Sequence, residues 1–199
     1  MEWWFRWNRL YLYALTLEEY ISPINPKEEV EFVFILSGES AARLGDLFQV
    51  MRKKVALKRL ERGDVACVAY WRGRIIAYCW AAFKRAEIGE IDRTLLLREG
   101  ECYLYDAYTL EGFRGKGLYP AILGCILRYV KGKGFGRALI FALKSNQPSH
   151  HGIRRVGFRL FQVITYIRWL GFPLCFYGRL RGGEKGIQLV KCECKEGPC

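Results

Sequence analysis

Apolar residues recur along the chain at two spacings, which distinguish predicted strands from predicted helices. Between residues 40 and 60 they return every three or four positions, which predicts one or two amphipathic helices. The apolar runs 65–71 and 74–83 are separated only by Arg72-Gly73, which predicts a β-hairpin. The segment 84–100 has mixed polarity and is predicted to be an irregular connection. Other apolar runs predict strands at 10–15, 30–36, 103–110, 137–143, 161–170 and 186–190, whereas Pro173, Arg181-Gly182-Gly183 and Gly197-Pro198 predict loops.

A glycine-rich stretch lies between the predicted strand 103–110 and a predicted helix, 121–130. It contains Arg114, Gly115, Lys116, Gly117, Leu118, Tyr119 and Pro120. The N–H groups at a helix start have no partner inside the helix, and together with the helix dipole they bind anions such as a pyrophosphate. The stretch therefore predicts a site for a phosphorylated cofactor, although glycine turns of this kind also serve as plain connections.

The order of features from residue 101 to 160 resembles the GCN5-related N-acetyltransferase (GNAT) family. The family's loop pattern is Arg/Gln-x-x-Gly-x-Gly/Ala, and Arg114, Gly117 and Tyr119 stand at its three marked positions, so the third departs from the pattern. Ile153 stands where the family commonly has a tyrosine. The later part of the family pattern is matched by Asn146, Ser149, Gly157 and Phe158.

The resemblance implies an α/β (α+β) fold, with a mixed, mostly antiparallel twisted sheet and helices on both faces. It implies acetyl-CoA as the acyl donor, with its pantetheine arm entering a gap between two diverging strands. The main chain at Tyr108, Thr109 and Leu110 would pair with that arm, and the N–H groups from 115 to 119 would hold the pyrophosphate. The implied cofactor-binding residues are Tyr108, Thr109, Leu110, Arg114, Gly115, Lys116, Gly117, Leu118, Tyr119, Asn146 and Ser149.

Candidate catalytic groups are few. Asp106 is the only carboxylate inside the strand that leads to the loop, which makes it the candidate base, and Tyr108 shares its face by strand alternation. His150 is the candidate acid, because histidine as a residue type can exchange a proton near neutral pH. Each candidate has an alternative interpretation. Asp106 could have a structural role, and His150 and His151 could be exposed residues without a catalytic role. Glu111, a further carboxylate beside the loop, is expected to be a solvated surface charge.

Charge narrows the choice of partners. Thirty-two Lys and Arg against twenty Asp and Glu give a net charge of +12, which attracts a polyanion such as coenzyme A, a carrier protein or an acidic substrate. The alternative is that the net charge reflects a generally basic surface without a specific anionic partner. Nucleic acid is disfavoured because the aromatic residues lie in apolar runs and no helix has a basic stripe. A small-molecule amine is favoured over a protein as the acceptor, and the oligomeric state stays open.

At 199 residues the chain fits one domain, in which 1–25 form an aromatic-rich N-terminal extension and 171–199 a divergent C-terminal segment. No apolar run is long enough for a membrane-spanning helix, and the N-terminus lacks a signal-peptide pattern, so a cytoplasmic location is expected. The cluster Trp3, Trp4, Phe5, Arg6, Trp7 and Arg9 fits a membrane surface, but a strand or lid over the substrate cleft is preferred.

Cysteine spacing indicates no metal site. Cys67, Cys79, Cys102, Cys125 and Cys175 lie in apolar runs, as small core residues do. The tail motif Cys192-x-Cys194-x4-Cys199 has no standard zinc spacing and is expected to carry thiols without a defined role.

The expected activity is N-acetyl transfer from acyl-CoA to a primary amine. Two alternatives stay open: a non-catalytic module that binds coenzyme A, and an N-acyltransferase with a longer acyl or carrier-protein donor. The acceptor classes considered are an amino sugar, an amino acid, a small amine and a protein lysine.

Overall fold

The computed structural model describes residues 5–18, 23–183 and 185–192. The strands in these ranges form one sheet of eight strands and one of three. They are β1 (Phe5–Thr16), β2 (Glu31–Ile35), β3 (Val65–Trp71), β4 (Arg74–Ala82), β5 (Arg85–Ile88), β6 (Arg93–Leu96), β7 (Glu101–Thr109), β8 (Arg137–Leu143), β9 (Arg159–Trp169), β10 (Phe172–Tyr177) and β11 (Gln188–Lys191).

The helices are α1 (Ala41–Val50), α2 (Lys53–Glu61), α3 (Leu118–Gly132) and α4 (Gln147–Arg155), with a 3-10 turn at Glu111–Phe113. Side chains cap two of them. Ser40 Oγ accepts a hydrogen bond from the Arg43 N–H at the start of α1. Asn146 Oδ1 accepts one from the Ser149 N–H at 3.2 Å, which fixes where α4 begins after β8.

The large sheet has the order β10-β9-β1-β8-β7-β4-β3-β2. Of its described strand pairs only β7 and β8 are parallel, which confirms the mostly antiparallel sheet. β1 lies between β8 and β9, so the aromatic N-terminal segment forms an interior strand from Phe5 onward. It pairs with β9, from Phe5 opposite Trp169; Trp3 and Trp4 lie outside the described residues.

The sheet has a core on each face because side chains alternate along its strands. On one face, α3 and α4 pack on residues such as Tyr13 and Leu104. On the other face, α1 and α2 cover β2, β3 and β4 around Trp80. Beside them the three-stranded sheet packs on Leu12 of β1 and Phe161 of β9. Helices therefore lie on both faces, as expected.

Two segments differ from the sequence-based expectation. The connection 84–100 contains a short hairpin, β5 and β6, whose four-residue strands are too short for a clear alternating pattern. The prediction of a loop at Pro173 is wrong, because Pro173 lies in β10 opposite Arg168. β10 is the outermost strand of the described sheet, where a missing N–H is tolerated.

No helix in the described ranges is both long enough and apolar enough to cross a membrane. Cys67, Cys79 and Cys102 are buried free thiols, as expected, and Cys125 and Cys175 are partly buried. In the tail, Cys192 Sγ lies 3.5 Å from Thr94 Oγ1. Cys194, Cys199 and the Gly197-Pro198 turn lie outside the described residues.

Candidate active site

The loop between β7 and α3 has the main-chain geometry of an anion site. Gly115 and Gly117 have φ angles of 74° and 79°, a left-handed region that favours glycine. α3 begins at Leu118, so the N–H groups of its first turn have no partner inside the helix. Pro120 lies in that same turn, where a missing N–H removes no helical hydrogen bond. The loop thus presents N–H groups at the positive end of the helix dipole, where the sequence predicts a pyrophosphate.

Neighbouring residues hold the charged side chains of this loop. Lys116 Nζ lies 2.7 Å from Glu28 Oε1, and the Lys27 N–H donates to the Lys116 carbonyl at 2.9 Å. Arg114 Nε donates to the Thr109 carbonyl at 3.2 Å. Because Glu28 offsets the charge of Lys116, attraction of an anion depends mainly on Arg114 and the N–H groups.

β7 and β8 separate beside this loop. Their parallel pairing runs from Glu101 opposite Arg137 to Leu104 opposite Ile140, although both strands continue further. A bulge follows the last pair: Tyr105 and Tyr108 face Trp80 and Tyr78 of β4, which leaves one extra residue on β7. A bulge bends its strand and increases its twist, so β7 turns away from β8. The end of the pairing at Leu104 agrees with the divergence implied by the family resemblance.

The three residues predicted to pair with the cofactor arm do not all direct their main-chain groups to the same side of β7. The Leu110 N–H donates to the Ile76 carbonyl of β4 at 2.8 Å, so it is already occupied. Main-chain groups of successive strand residues point to opposite sides, which directs Tyr108 toward β4 and Thr109 toward the opening. Thr109 is thus the best placed of the three for pairing with an added strand-like ligand.

Asp106, the predicted base, lies in the bulge with a φ of 45°. Its carboxylate forms an ion pair with Arg59 of α2, and the Arg59 guanidinium lies 4.9 Å from the ring centre of Tyr105 and 5.2 Å from that of Trp80. The Asp106 side chain is 38% exposed, so the ion pair leaves it within reach of solvent.

Tyr108, the predicted polar partner of Asp106, stacks on Tyr78 with ring centres 5.5 Å apart. Burial, with a smaller contribution from the charge of Asp106, raises the pKa of Tyr78 to about 12. A phenol with that pKa stays neutral and can donate a hydrogen bond at physiological pH. Asp106 and the two tyrosines together form a polar and aromatic patch beside the opening.

Tyr119, the departure from the family loop pattern, packs on α4. A Cβ atom added to Gly152 would lie 2.4 Å from Tyr119 Cδ1, so the ring rests directly on the α4 backbone. Burial raises the pKa of the Tyr119 phenol, against the opposing effect of a hydrogen bond with Ser149. The phenol therefore bridges from α3 to the segment that follows β8. Ile153, at the family's tyrosine position, is fully buried.

His150, the predicted acid, contacts β1. Its Nδ1 lies 2.8 Å from the Tyr13 hydroxyl oxygen, and its ring centre lies 5.2 Å from that of Tyr11. The residue is only 3% exposed, and its Nε2 has no hydrogen-bond partner among the described residues. Because β1 borders β8 on the side away from β7, these contacts direct His150 away from the opening; His151 is exposed.

The structure thus brings the loop, Thr109, Asp106, Tyr108, Asn146 and Ser149 to one end of β7 and β8. Sequence reasoning missed Arg59, Gly152 and Glu28, which contact Asp106, Tyr119 and Lys116. All three come from distant segments, and no local pattern marks them. The contact between Gly152 on α4 and Tyr119 on α3 could be recognised only once the fold was known.

Comparisons with known proteins agree with this geometry. A family model described as "Acetyltransferase (GNAT) family" matches residues 35–158. A GCN5-related N-acetyltransferase structure from Sphaerobacter thermophilus has a TM-score of 0.58 and 13% identity, covering 82% of this chain and 52% of that one. A GNAT-family acetyltransferase from Colwellia psychrerythraea has a TM-score of 0.55 and 11% identity, covering 78% and 53%.

A third structure contains a ligand. It is aminoglycoside N-acetyltransferase AAC(6')-Iy in complex with CoA, with a TM-score of 0.50 and 16% identity, covering 65% of this chain and 91% of that one. Identities this low show a shared fold. The chain spans about half the length of the first structures it matches, and no curated protein matches its sequence.

Proposed function

Because this chain belongs to the GNAT acetyltransferase family, we propose that it is an N-acetyltransferase that moves an acetyl group from acetyl-CoA to a primary amine. The observation that carries the proposal is the position of the glycine loop. Its N–H groups stand at the start of α3, beside the point where β7 and β8 part. A diphosphate held there would direct the attached pantetheine arm toward the opening, where Thr109 would line it.

The reaction requires two proton movements. The neutral amine attacks the thioester carbonyl, a C–N bond forms, and the C–S bond breaks. The amine loses a proton to a base, for which Asp106 is the proposed residue, directly or through water. The departing thiolate gains a proton. Tyr119 is the proposed donor, because its phenol reaches Ser149 beside the opening, whereas the contacts of His150 with β1 direct it away from the opening.

The proposed acceptor is a primary amine on a small molecule. AAC(6')-Iy is named for an aminoglycoside acceptor, and a structure with a TM-score of 0.54 is a GCN5-related glucosamine N-acetyltransferase region of a fungal multi-domain protein. In this chain the polar and aromatic patch of Asp106, Tyr78 and Tyr108 lies beside the opening. Its hydroxyl and carboxylate groups suit an amine that also carries hydroxyl groups.

Two observations favour a second candidate, a coenzyme A-binding module without catalysis. Ile153 replaces the family's usual acid and is fully buried. Asp106, the proposed base, is held in an ion pair by Arg59. A chain without an available acid and an available base would bind acyl-CoA but would not transfer its acyl group.

Thiol release distinguishes the two candidates. The purified chain is mixed with acetyl-CoA and a panel of small amines, and free coenzyme A is followed with a thiol reagent, with an amine-free reaction as the control. Amine-dependent release supports the transferase. Binding of acetyl-CoA without release supports the module, and the absence of both overturns the proposal. Parallel reactions with a longer acyl-CoA and an acylated carrier protein identify the donor.

Asp106→Asn tests the proposed base. The substitution keeps the size of the side chain but removes its charge, so kcat is expected to fall by about 100-fold, in the range typical of a general base. Glu111→Gln is the matched control, because Glu111 is an exposed carboxylate of the neighbouring turn. An Asp106→Asn variant with an unchanged kcat would exclude Asp106 as the base.

A further inference from the structure

One corner of the large sheet exposes apolar side chains that acetyl transfer does not use. We call this set the apolar end. Its members and their exposed fractions are Phe5 58%, Trp7 45%, Trp169 62%, Leu170 53%, Phe172 74%, Leu174 50% and Phe176 55%. A patch of this kind on a folded protein generally marks an interaction site.

Strand pairing places most of these side chains on one face. Phe5 lies opposite Trp169, which lies opposite Phe172. In the same way, Trp7 lies opposite Ile167, and Ile167 opposite Leu174. Alternate residues of β9 such as Ile164 and Tyr166 face the three-stranded sheet and are buried. The apolar end is therefore a continuous sheet face that no described element covers.

The turn between β9 and β10 forms the tip of the apolar end. It consists of Leu170 and Gly171, with φ angles of 47° and 82°. Two-residue turns with both φ angles positive favour Asn-Gly or Asp-Gly, because side chains other than these strain the left-handed conformation. Leucine at this position is strained and, at 53%, exposed. A strained apolar residue at an exposed tip points to a function for that tip.

The charge around the apolar end identifies its partner. Residues 5–16 and 159–183 contain no Asp, Glu or Lys, and their charged residues are Arg6, Arg9, Arg159, Arg168, Arg179 and Arg181. Arg9 lies over the Trp7 ring at 5.6 Å. Arg6 and Arg168 alternate with the apolar side chains and face the other side of the sheet, where Asp92, in the turn before β6, pairs with both. Arg9 stays on the apolar face.

Two copies joined through the apolar end would find no carboxylate on each other's β1, β9 or β10 to pair with Arg9, so charge does not favour a dimer. An anionic bilayer has the complementary charge, and its interfacial region accommodates Trp and Phe side chains beside Arg. We propose that the apolar end docks on an anionic lipid surface, with Trp169, Leu170 and Phe172 entering the headgroup region. The docking is peripheral: these side chains enter the headgroup region without crossing the bilayer.

Co-sedimentation with vesicles tests this inference. The purified chain is mixed with neutral phosphatidylcholine vesicles, or with vesicles containing about one-third phosphatidylserine. We expect binding to the anionic vesicles at least tenfold tighter than to the neutral ones, decreasing as salt screens the arginines. Equal binding to both vesicle types, or binding to neither, would overturn the proposal.

Substitutions locate the surface. Leu170→Asn with Phe172→Thr replaces the tip by residues that suit a turn and a strand, and should weaken vesicle binding at least tenfold. Val190→Thr, at an exposed apolar residue of β11, is the control and should leave binding unchanged. Circular dichroism confirms that each variant is folded. Coenzyme A binding should be the same in all three, so failure of this inference is separate from failure of the proposed function.

Light scattering shows whether the apolar end instead binds a second copy of this chain. If the chain is a dimer by light scattering, and if Leu170→Asn with Phe172→Thr makes it a monomer, then the apolar end is an interface between two copies. That result, or unchanged vesicle binding by the double variant, would contradict the lipid proposal.

Discussion

At the residue scale, Tyr119 and Gly152 are matched to each other. The family places Gly or Ala where this chain has Tyr119, and the ring occupies the space above Gly152 on α4. Its backbone N–H is unaffected by the side chain, so the loop keeps its donor. A tyrosine in the loop and a glycine in α4 therefore form one unit of packing between the two helices that flank the opening.

Gly152→Ala is predicted to destabilise the chain by about 1–3 kcal/mol, because the added methyl overlaps the Tyr119 ring. Unfolding in urea measures the change. Gly45→Ala in α1 is the control: its added Cβ has no atom within 4 Å, so the exchange should stabilise by about 0.5–1 kcal/mol.

The two positions should also be coupled. With Tyr119→Ala as the background, Gly152→Ala should lose most of its destabilising effect, because the ring it contacts is gone. A double-mutant cycle gives this coupling energy directly. Additive effects of the two substitutions would mean that Tyr119 does not rest on Gly152.

Cys125 is predicted to be the most reactive of the described thiols. A hydrogen bond from Cys67 lowers the pKa of Cys125, and the nearby charge of Arg128 acts in the same direction, whereas burial opposes them. Burial raises the pKa of Cys67, Cys79 and Cys102. The thiolate is the reactive form, so alkylation at Cys125 should reach half its maximal rate at a lower pH than a free thiol does.

Mass spectrometry after brief treatment with iodoacetamide measures this reactivity site by site. Cys125→Ser should remove the early-labelled site and leave the buried thiols unlabelled. Labelling of Cys102 before Cys125 would contradict the assignment.

At the scale of elements, the bulge in β7 determines where the opening forms. The positions of the helices and of most strands along the chain were predictable because apolar spacing changes clearly between 40–60, the hairpin 65–83 and the block 101–158. The bulge was not predictable, because Asp106 continues an alternating pattern and its φ of 45° is visible only in the fold. Its ion pair with Arg59 joins β7 to α2, a contact between distant segments.

The glycines of the loop are predicted to be required for their backbone conformation. Gly115→Ala and Gly117→Ala each place a Cβ on a residue with a left-handed backbone, at φ angles of 74° and 79°. The resulting strain is expected to destabilise the loop conformation by about 1–2 kcal/mol for each residue. If the strain shifts the N–H groups, coenzyme A affinity should fall roughly 5- to 30-fold, at about 1.4 kcal/mol for each factor of ten.

Gly112→Ala is the matched control for this pair. Gly112 lies in the neighbouring 3-10 turn, has no positive φ, and has no atom within 4 Å of an added Cβ. Its affinity for coenzyme A, measured by calorimetry, should equal that of the unchanged chain. If Gly112→Ala and Gly117→Ala lost the same amount of affinity for coenzyme A, the left-handed conformation of Gly117 would not explain the loss.

At the scale of the whole molecule, buried phenols make the fold sensitive to alkali. Burial raises the pKa of Tyr70, Tyr78 and Tyr166 to about 12 each. Their contribution to stability is fully present below the unfolded-state pKa of about 10. It is lost as pH rises toward 12, because the unfolded chain ionises first.

Thermal unfolding between pH 8 and 12 tests this prediction. The melting temperature should fall progressively above pH 10. Tyr78→Phe should reduce the steepness of that fall, because a phenylalanine has no proton to lose, whereas Tyr129→Phe serves as the control for loss of a hydroxyl. A melting temperature that is level to pH 12 would show that these phenols are not buried.

The overall account depends on the diphosphate being held by the loop from 115 to 119. Calorimetric titration of the chain with coenzyme A, and then with pantetheine, which lacks the diphosphate and the 3′-phosphoadenosine attached to it, measures the contribution of this whole group, and Arg114→Glu locates it at the loop. We predict tight binding of coenzyme A, at least 100-fold weaker binding of pantetheine, and a marked loss of coenzyme A affinity in Arg114→Glu. Equal affinities for the two ligands, or no binding of coenzyme A, would contradict the account.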